Sequence, residues 1–189
     1  MNSFVNHRSV GRLTATGLLI AIGIMIPMFM PIRIVIGDSA SYTLASHVAI
    51  FIAMFISPWV AVLTTIGTTL GFLLAGAFPP IVVARAASHI VFVVVGAYYL
   101  KKIDKDNIGI VHLRVLSLVL GVIHAMFEVF AVLGFHFFAG TPINNEVFTF
   151  TLLFVGLGTL IHSLVDLEIA NIVRLALKGQ SFYAKLAKN

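Results

Sequence analysis

The 189-residue sequence has no cysteine, one tryptophan, and only seven acidic residues against twelve lysines and arginines. Without cysteine there are no disulfides, no thiol catalysis and no cysteine metal site, although compartment stays open. Charge of either sign is scarce. Charged residues make up 10% of the chain, where a soluble domain carries roughly a quarter. No G-x-x-x-x-G-K-[ST] phosphate loop occurs, so the chain does not hydrolyse ATP by that route, and neither H-E-x-x-H nor G-x-S-x-G is present. Internal repeats, heptad arrays and low-complexity tracts are also missing.

What the sequence does contain is apolar surface, at 60% hydrophobic residues and a mean hydropathy of +1.08. Such a chain cannot cover itself with polar groups, so lipid must be its solvent. A hydrocarbon core about 30 Å thick needs about 20 apolar residues per helix. Six such helices and short loops use up the length, so the expected fold is one all-α integral membrane domain over residues 1–189 with six transmembrane helices. Turn signals and charges bound the spans at about 10–30, 42–56, 58–77, 80–100, 112–138 and 146–177. The charge-free run from Ser39 to Ala84 is too long for one helix and breaks at Ser57-Pro58 and at Gly76-Ala77-Phe78-Pro79-Pro80. The first apolar run lacks a small-residue cleavage site and is expected to be an uncleaved helix rather than a signal peptide.

Orientation follows from the basic residues. With six spans, Arg8, Arg12, Lys101, Lys102, Lys105, Arg114, Arg174, Lys178, Lys185 and Lys188 fall on one side. The other side has Arg33, with Arg85 just inside the membrane. The positive-inside rule then places both termini in the cytoplasm of a multi-pass cell-membrane protein. An odd number of spans would strand the C-terminal cluster on the wrong face.

Ionisable groups inside spans cost several kcal/mol unless they face partners or a cavity, about 2.5–3.5 on insertion scales. Three pairs sit at i, i+4 spacing, each on one helix face: Arg85 with His89, His124 with Glu128, and His162 with Asp166. By depth, Arg85, His89, Glu128 and His124 line an outward-facing polar pocket, or Arg85 and Glu128 form a structural ion pair between packed helices. His162 and Asp166 fall nearer the inner surface, where capping or subunit contact explains them equally. Small residues at Gly17 and Ala21, and at Gly67 and Gly71, make stripes that let helix backbones approach closely. They mark either a face that docks another membrane subunit or internal packing. The segment from Pro31 to Ser46 is either a lid over the outer face or a plain connector, and Tyr42 within it offers a ring for stacking on a planar ligand.

These features together resemble the substrate-binding S components of energy-coupling factor (ECF) vitamin transporters. The resemblance covers nearly the whole chain. It rests on size, six spans, cytoplasmic termini, Gly17-x-x-x-Ala21 in place of the family's Ala-x-x-x-Ala, and the run from Ser41 to Trp59 with Gly67-Thr-Thr-Leu-Gly71-Phe. It implies a high-affinity vitamin-binding subunit with no enzymatic activity and no cofactor or metal of its own. Its partners would be a transmembrane coupling subunit and two ABC-type ATPases. Substrate would bind between the first loop and the outer halves of spans four to six, where Arg85, His89 and Glu128 lie. Spans one to three, with Gly17, Ala21, Gly67 and Gly71, would meet the coupling subunit. The ligand expected first is hydroxymethylpyrimidine or a pyridoxine-like heteroaromatic, then niacin, then pantothenate. Arg85 favours a carboxylate unless Glu128 neutralises it. Cobalt and nickel members begin Met-His, whereas this chain begins Met1-Asn2. The alternatives from other classes are an intramembrane metal-dependent enzyme, with His124, Glu128, His162 and Asp166 as mixed ligands, and a stand-alone secondary carrier.

Overall fold

The computed structural model describes residues 7–105 and 107–187. Lys188 and the Met1-Asn2 start lie outside the described residues. The architecture is helical, with one small hairpin. Helix α1 (His7–Phe29) leads to strands β1 (Arg33–Ile36) and β2 (Ala40–Thr43), then α2 (Val48–Ile56), α3 (Pro58–Ala75), α4 (Pro80–Ser88), α5 (Ile90–Lys102) and α6 (Ile110–Phe138). The last stretch runs α7 (Asn145–Phe150), a π-helical turn (Thr151–Leu157), α8 (Gly158–Lys178) and α9 (Ser181–Ala187). Among the described residues five helices are long and apolar enough to cross a membrane: Arg8–Phe29, Pro58–Ala75, Pro80–Lys102, Ile110–Phe138 and Asn145–Lys178.

The expected helix over 42–56 does not form as one piece. Gly37 turns the chain at φ 58°, and Arg33, Ile34, Val35 and Ile36 pair antiparallel with Thr43, Tyr42, Ser41 and Ala40. Only nine residues of α2 follow, every one of them buried. At about 1.5 Å per residue that is roughly 14 Å, half a bilayer. Ala40 and Thr43 of β2 are buried, whereas Arg33, Ile34 and Val35 of β1 are exposed, so the hairpin packs on the helices through β2.

Local chemistry explains the sharp α2–α3 corner. Ser57 caps α3 by accepting from Val60 N–H at 3.3 Å, and Pro58 takes the first helical position, where a missing N–H does no harm. At the other end Gly76 closes α3 in the left-handed conformation at φ 61°.

Helices α1 and α3 pack through small residues. A Cβ on Gly67 would lie 2.3 Å from Ile20 Cδ1, and one on Gly71 would lie 2.1 Å from Ile24 Cδ1. Gly67 and Gly71 therefore do not form an outward docking stripe. They are the sockets into which α1 inserts two isoleucines. Gly17 and Ala21 behave differently, both exposed, with nothing within 4 Å of a Cβ on Gly17.

The described ends meet at one end of the bundle. Arg12 Nε and Nη2 donate to the Leu186 carbonyl at 3.0 and 2.9 Å, and Arg174 Nη1 donates to the Lys105 carbonyl at 3.1 Å. Lys105 Nζ reaches the Ile56 carbonyl at 3.5 Å. This basic end lies opposite the hairpin end. Two apolar cores fill the interior. The larger takes α2, α5 and the near halves of α1, α6 and α8, and the smaller gathers Ala40, Ile81, Val132 and Val155 beside the hairpin.

Candidate functional site

Where the hairpin hands over to α2, five elements converge on a buried polar cluster. Glu128 of α6 is its centre, only 2% exposed. Its Oε2 accepts from Arg85 Nη2 at 2.7 Å and Arg85 Nε at 3.1 Å, and also from the Thr159 hydroxyl. Its Oε1 lies 2.9 Å from His89 Nε2 and 3.4 Å from His124 Nε2. Arg85 turns its remaining arm to the hairpin, with Nη1 donating to the Ser39 carbonyl at 2.7 Å and to that of Ser41 at 3.5 Å.

A second carboxylate, Asp166 of α8, is fully buried and anchors the hairpin's exit. It accepts from Ala45 N–H at 2.8 Å and His47 N–H at 2.9 Å, and it pairs with His47 Nδ1 at 3.0 Å and His162 Nε2 at 3.2 Å. Ala45 holds the left-handed conformation at φ 67°, a strained choice for a residue with a Cβ, and the two Asp166 bonds stabilise the turn that requires it. His47 is the hub of the rings. Its centroid lies 4.8 Å from those of His89 and His124 and 5.0 Å from that of His162, all edge-on.

Helix irregularities aim these groups. The helix tightens at the α4–α5 junction, where His89 N–H reaches back to Ala86 O at 3.3 Å rather than to Arg85. In the π-helical turn, wider than an α-helix, the Phe154 carbonyl accepts from the Tyr42 hydroxyl. A Cβ on Gly158 would fall 2.6 Å from that hydroxyl, so the contact requires a glycine there.

Beside the ion pair lies a cavity of about 60 Å3. Arg85, Glu128, His89 and His47 form its charged and aromatic-nitrogen wall, and Ser41, Thr43, Ser46, Thr65, Thr68 and Thr69 supply hydroxyls. Phe72 and Phe78, with ring centroids 4.4 Å apart, form an apolar wall together with Pro27, Ile50 and Val82.

A curated relative, the niacin transporter NiaX of Lactococcus lactis subsp. cremoris (strain MG1363), is 38% identical over 161 residues, which is 85% of this chain and 72% of the relative. This chain belongs to that transporter's family, the S components of ECF vitamin transporters. It is a multi-pass plasma-membrane protein of vitamin uptake. No family model and no solved structure matches it.

Of the residues singled out in the sequence, this S component brings Arg85, His89, His124 and Glu128 into one cluster. Arg85 and Glu128 are paired, and the pair has open space beside it rather than a sealed contact. His124 lies beneath the cavity wall, not on it, and packs on Phe92 with centroids 4.3 Å apart. Tyr42 is displaced from the expected stacking position. Its ring lies under Arg85 at 5.4 Å and beside His162, and it faces an apolar groove between the hairpin and α8. The aromatic surface of the cavity comes instead from Phe72 and Phe78. His162 and Asp166, read as an inner-surface pair, sit in the same buried centre and hold the hairpin. The four ligands imagined for an enzyme, His124, Glu128, His162 and Asp166, do not gather as a set. They divide into two groups that share His47. His47 was missed because its partners lie on other helices. The signal available was an ionisable side chain within the charge-free run from Ser39 to Ala84.

Proposed function

We propose that this S component captures niacin in the cavity beside Arg85, entering from the hairpin end. The observation that carries the reading is a buried guanidinium–carboxylate pair left open on one side to a cavity with an aromatic wall. The named substrate of the relative moves niacin ahead of hydroxymethylpyrimidine or a pyridoxine-like compound, and ahead of pantothenate. Nicotinate is a flat anion with one basic ring nitrogen. Arg85 Nη1 is the guanidinium arm not committed to Glu128, and a carboxylate displacing the Ser39 and Ser41 carbonyls would gain charge-assisted hydrogen bonds. The ring would lie against Phe72 and Phe78, with His89 and the threonine hydroxyls in reach of its nitrogen. By the measure in which one water needs about 10–15 Å3, the cavity suits one small ring rather than a multi-ring vitamin. Because Arg85 ties down the hairpin, ligand binding at Nη1 would also release it, so the hairpin acts as the lid.

The same reading sets the topology. The hairpin and α2 together make the second of six crossings, and the basic end lies in the cytoplasm. The chain supplies no ATPase. Uptake would require a transmembrane coupling subunit and two ABC-type ATPases, with the exposed α1 face around Gly17 and Ala21 as the docking surface.

Calorimetry on the purified chain in mild detergent tests the substrate, using nicotinate, nicotinamide, hydroxymethylpyrimidine and pantothenate. Nicotinate should bind at micromolar or tighter affinity, and nicotinamide, which lacks the carboxylate, should bind far more weakly. Equal binding of the two would remove Arg85 from the recognition scheme, and preference for another compound would overturn niacin as the substrate.

A further inference from the structure

We infer that His47, His89, His124 and Glu128 form a binding site for one divalent transition-metal ion at the base of the cavity. Each residue offers one ligand atom, these atoms all lie within 4.8 Å of one another, and all four residues are buried. Three imidazoles and a carboxylate form a borderline donor set, suited to zinc and its neighbours and unsuited to magnesium or calcium, which take oxygen ligands.

Three independent features point to an ion rather than to packed histidines. First, His124 is 1% exposed, and neither of its ring nitrogens has a hydrogen-bond partner in the protein. Its Nε2 faces Glu128 Oε1 at 3.4 Å without hydrogen-bond alignment. A buried imidazole left so is costly, and coordination satisfies it. Second, His47 has the outer partner that metal-bound histidines have. Its Nδ1 pairs with Asp166 Oδ2 at 3.0 Å, which orients the ring and leaves Nε2 for the cluster. Third, the donor set suits a cation, because two carboxylates, Glu128 and Asp166, sit directly against these imidazoles. Arg85 and Thr159 take Glu128 Oε2, while Oε1 stays on the histidine side. The neighbouring set of His47, His162 and Asp166 has one ligand fewer, and there Asp166 is already occupied by two backbone N–H groups. The inference stands apart from the identity of the vitamin.

The test uses the full chain purified in detergent, stripped with a chelator and titrated with zinc against a chromophoric competitor. One zinc per chain is expected. His124→Ala should weaken binding by more than about 100-fold, beyond the 10–100-fold typical of losing an outer partner, while His112→Ala, at an exposed histidine, should leave it unchanged. X-ray absorption at the zinc edge of the wild-type chain does not depend on any variant folding, and it should show a first shell of imidazoles with one carboxylate. Absence of stoichiometric zinc, a first shell without imidazole, or equal binding by His124→Ala and wild type would overturn the assignment.

Discussion

Gly71→Ala is expected to destabilise the protein, although alanine is the better helix former and the site faces the middle of a helix. The new Cβ would lie 2.1 Å from Ile24 Cδ1 and 2.6 Å from Ile24 Cγ1. Rotating χ2 of Ile24 moves the Cδ1 methyl aside but leaves Cγ1 in place. Moving Cγ1 requires χ1, which a β-branched side chain in a helix holds in one strongly preferred rotamer. The backbones of α1 and α3 must therefore separate. Overpacking of this kind costs about 1–3 kcal/mol, against a gain of about 0.8–1 kcal/mol from replacing glycine in a helix. The net expectation is a loss of up to about 2 kcal/mol. Gly17→Ala is the internal control, because nothing lies within 4 Å of its Cβ. It should gain up to about 1 kcal/mol. The assay is reversible unfolding in mixed dodecylmaltoside–SDS micelles followed by circular dichroism. The cavity wall includes Pro27 of α1 and Thr68 and Phe72 of α3, so Gly71→Ala should also weaken nicotinate binding, whereas Gly17→Ala should not. If both variants shifted stability in the same direction, the socket description of Gly71 would be wrong.

Arg85→Gln should lower nicotinate affinity by about 2–5 kcal/mol, as for a desolvated charge contact, and should leave the weak binding of nicotinamide nearly unchanged in the same calorimetric series. Phe72→Ala should weaken both ligands together, because it removes stacking surface rather than charge, and a loss confined to nicotinate would contradict that. Asp166→Asn presents one acceptor oxygen where Ala45 N–H and His47 N–H now share a carboxylate. It should cost about 1–3 kcal/mol for the unsatisfied donor and raise amide exchange selectively over residues 40–47. Uniform exchange across the chain would show that Asp166 does not act through the hairpin.

Much of this was legible in the sequence because lipid imposes simple rules. Few charges, long apolar runs and one-sided lysines and arginines dictate a helical membrane protein, whatever the details of packing. The i, i+4 pairs were legible for the same reason. Helix geometry puts Arg85 with His89, and His124 with Glu128, on common faces, and charge inside a span must find company. Periodicity tells which residues share a face and is silent about what that face meets. Only the tertiary structure decided that Gly67 and Gly71 receive Ile20 and Ile24, that Phe72 and Phe78 replace Tyr42 at the cavity, and that His47 joins histidines 42, 77 and 115 residues away in the chain. The hairpin escaped for a related reason. A charge-free stretch such as Ser41 to Ile56 satisfies the composition rule for a span, but a strand buried against helices can be equally apolar. What separates the two is whether its backbone groups find partners along their own segment or across it, and those partners exist only once the chain has folded.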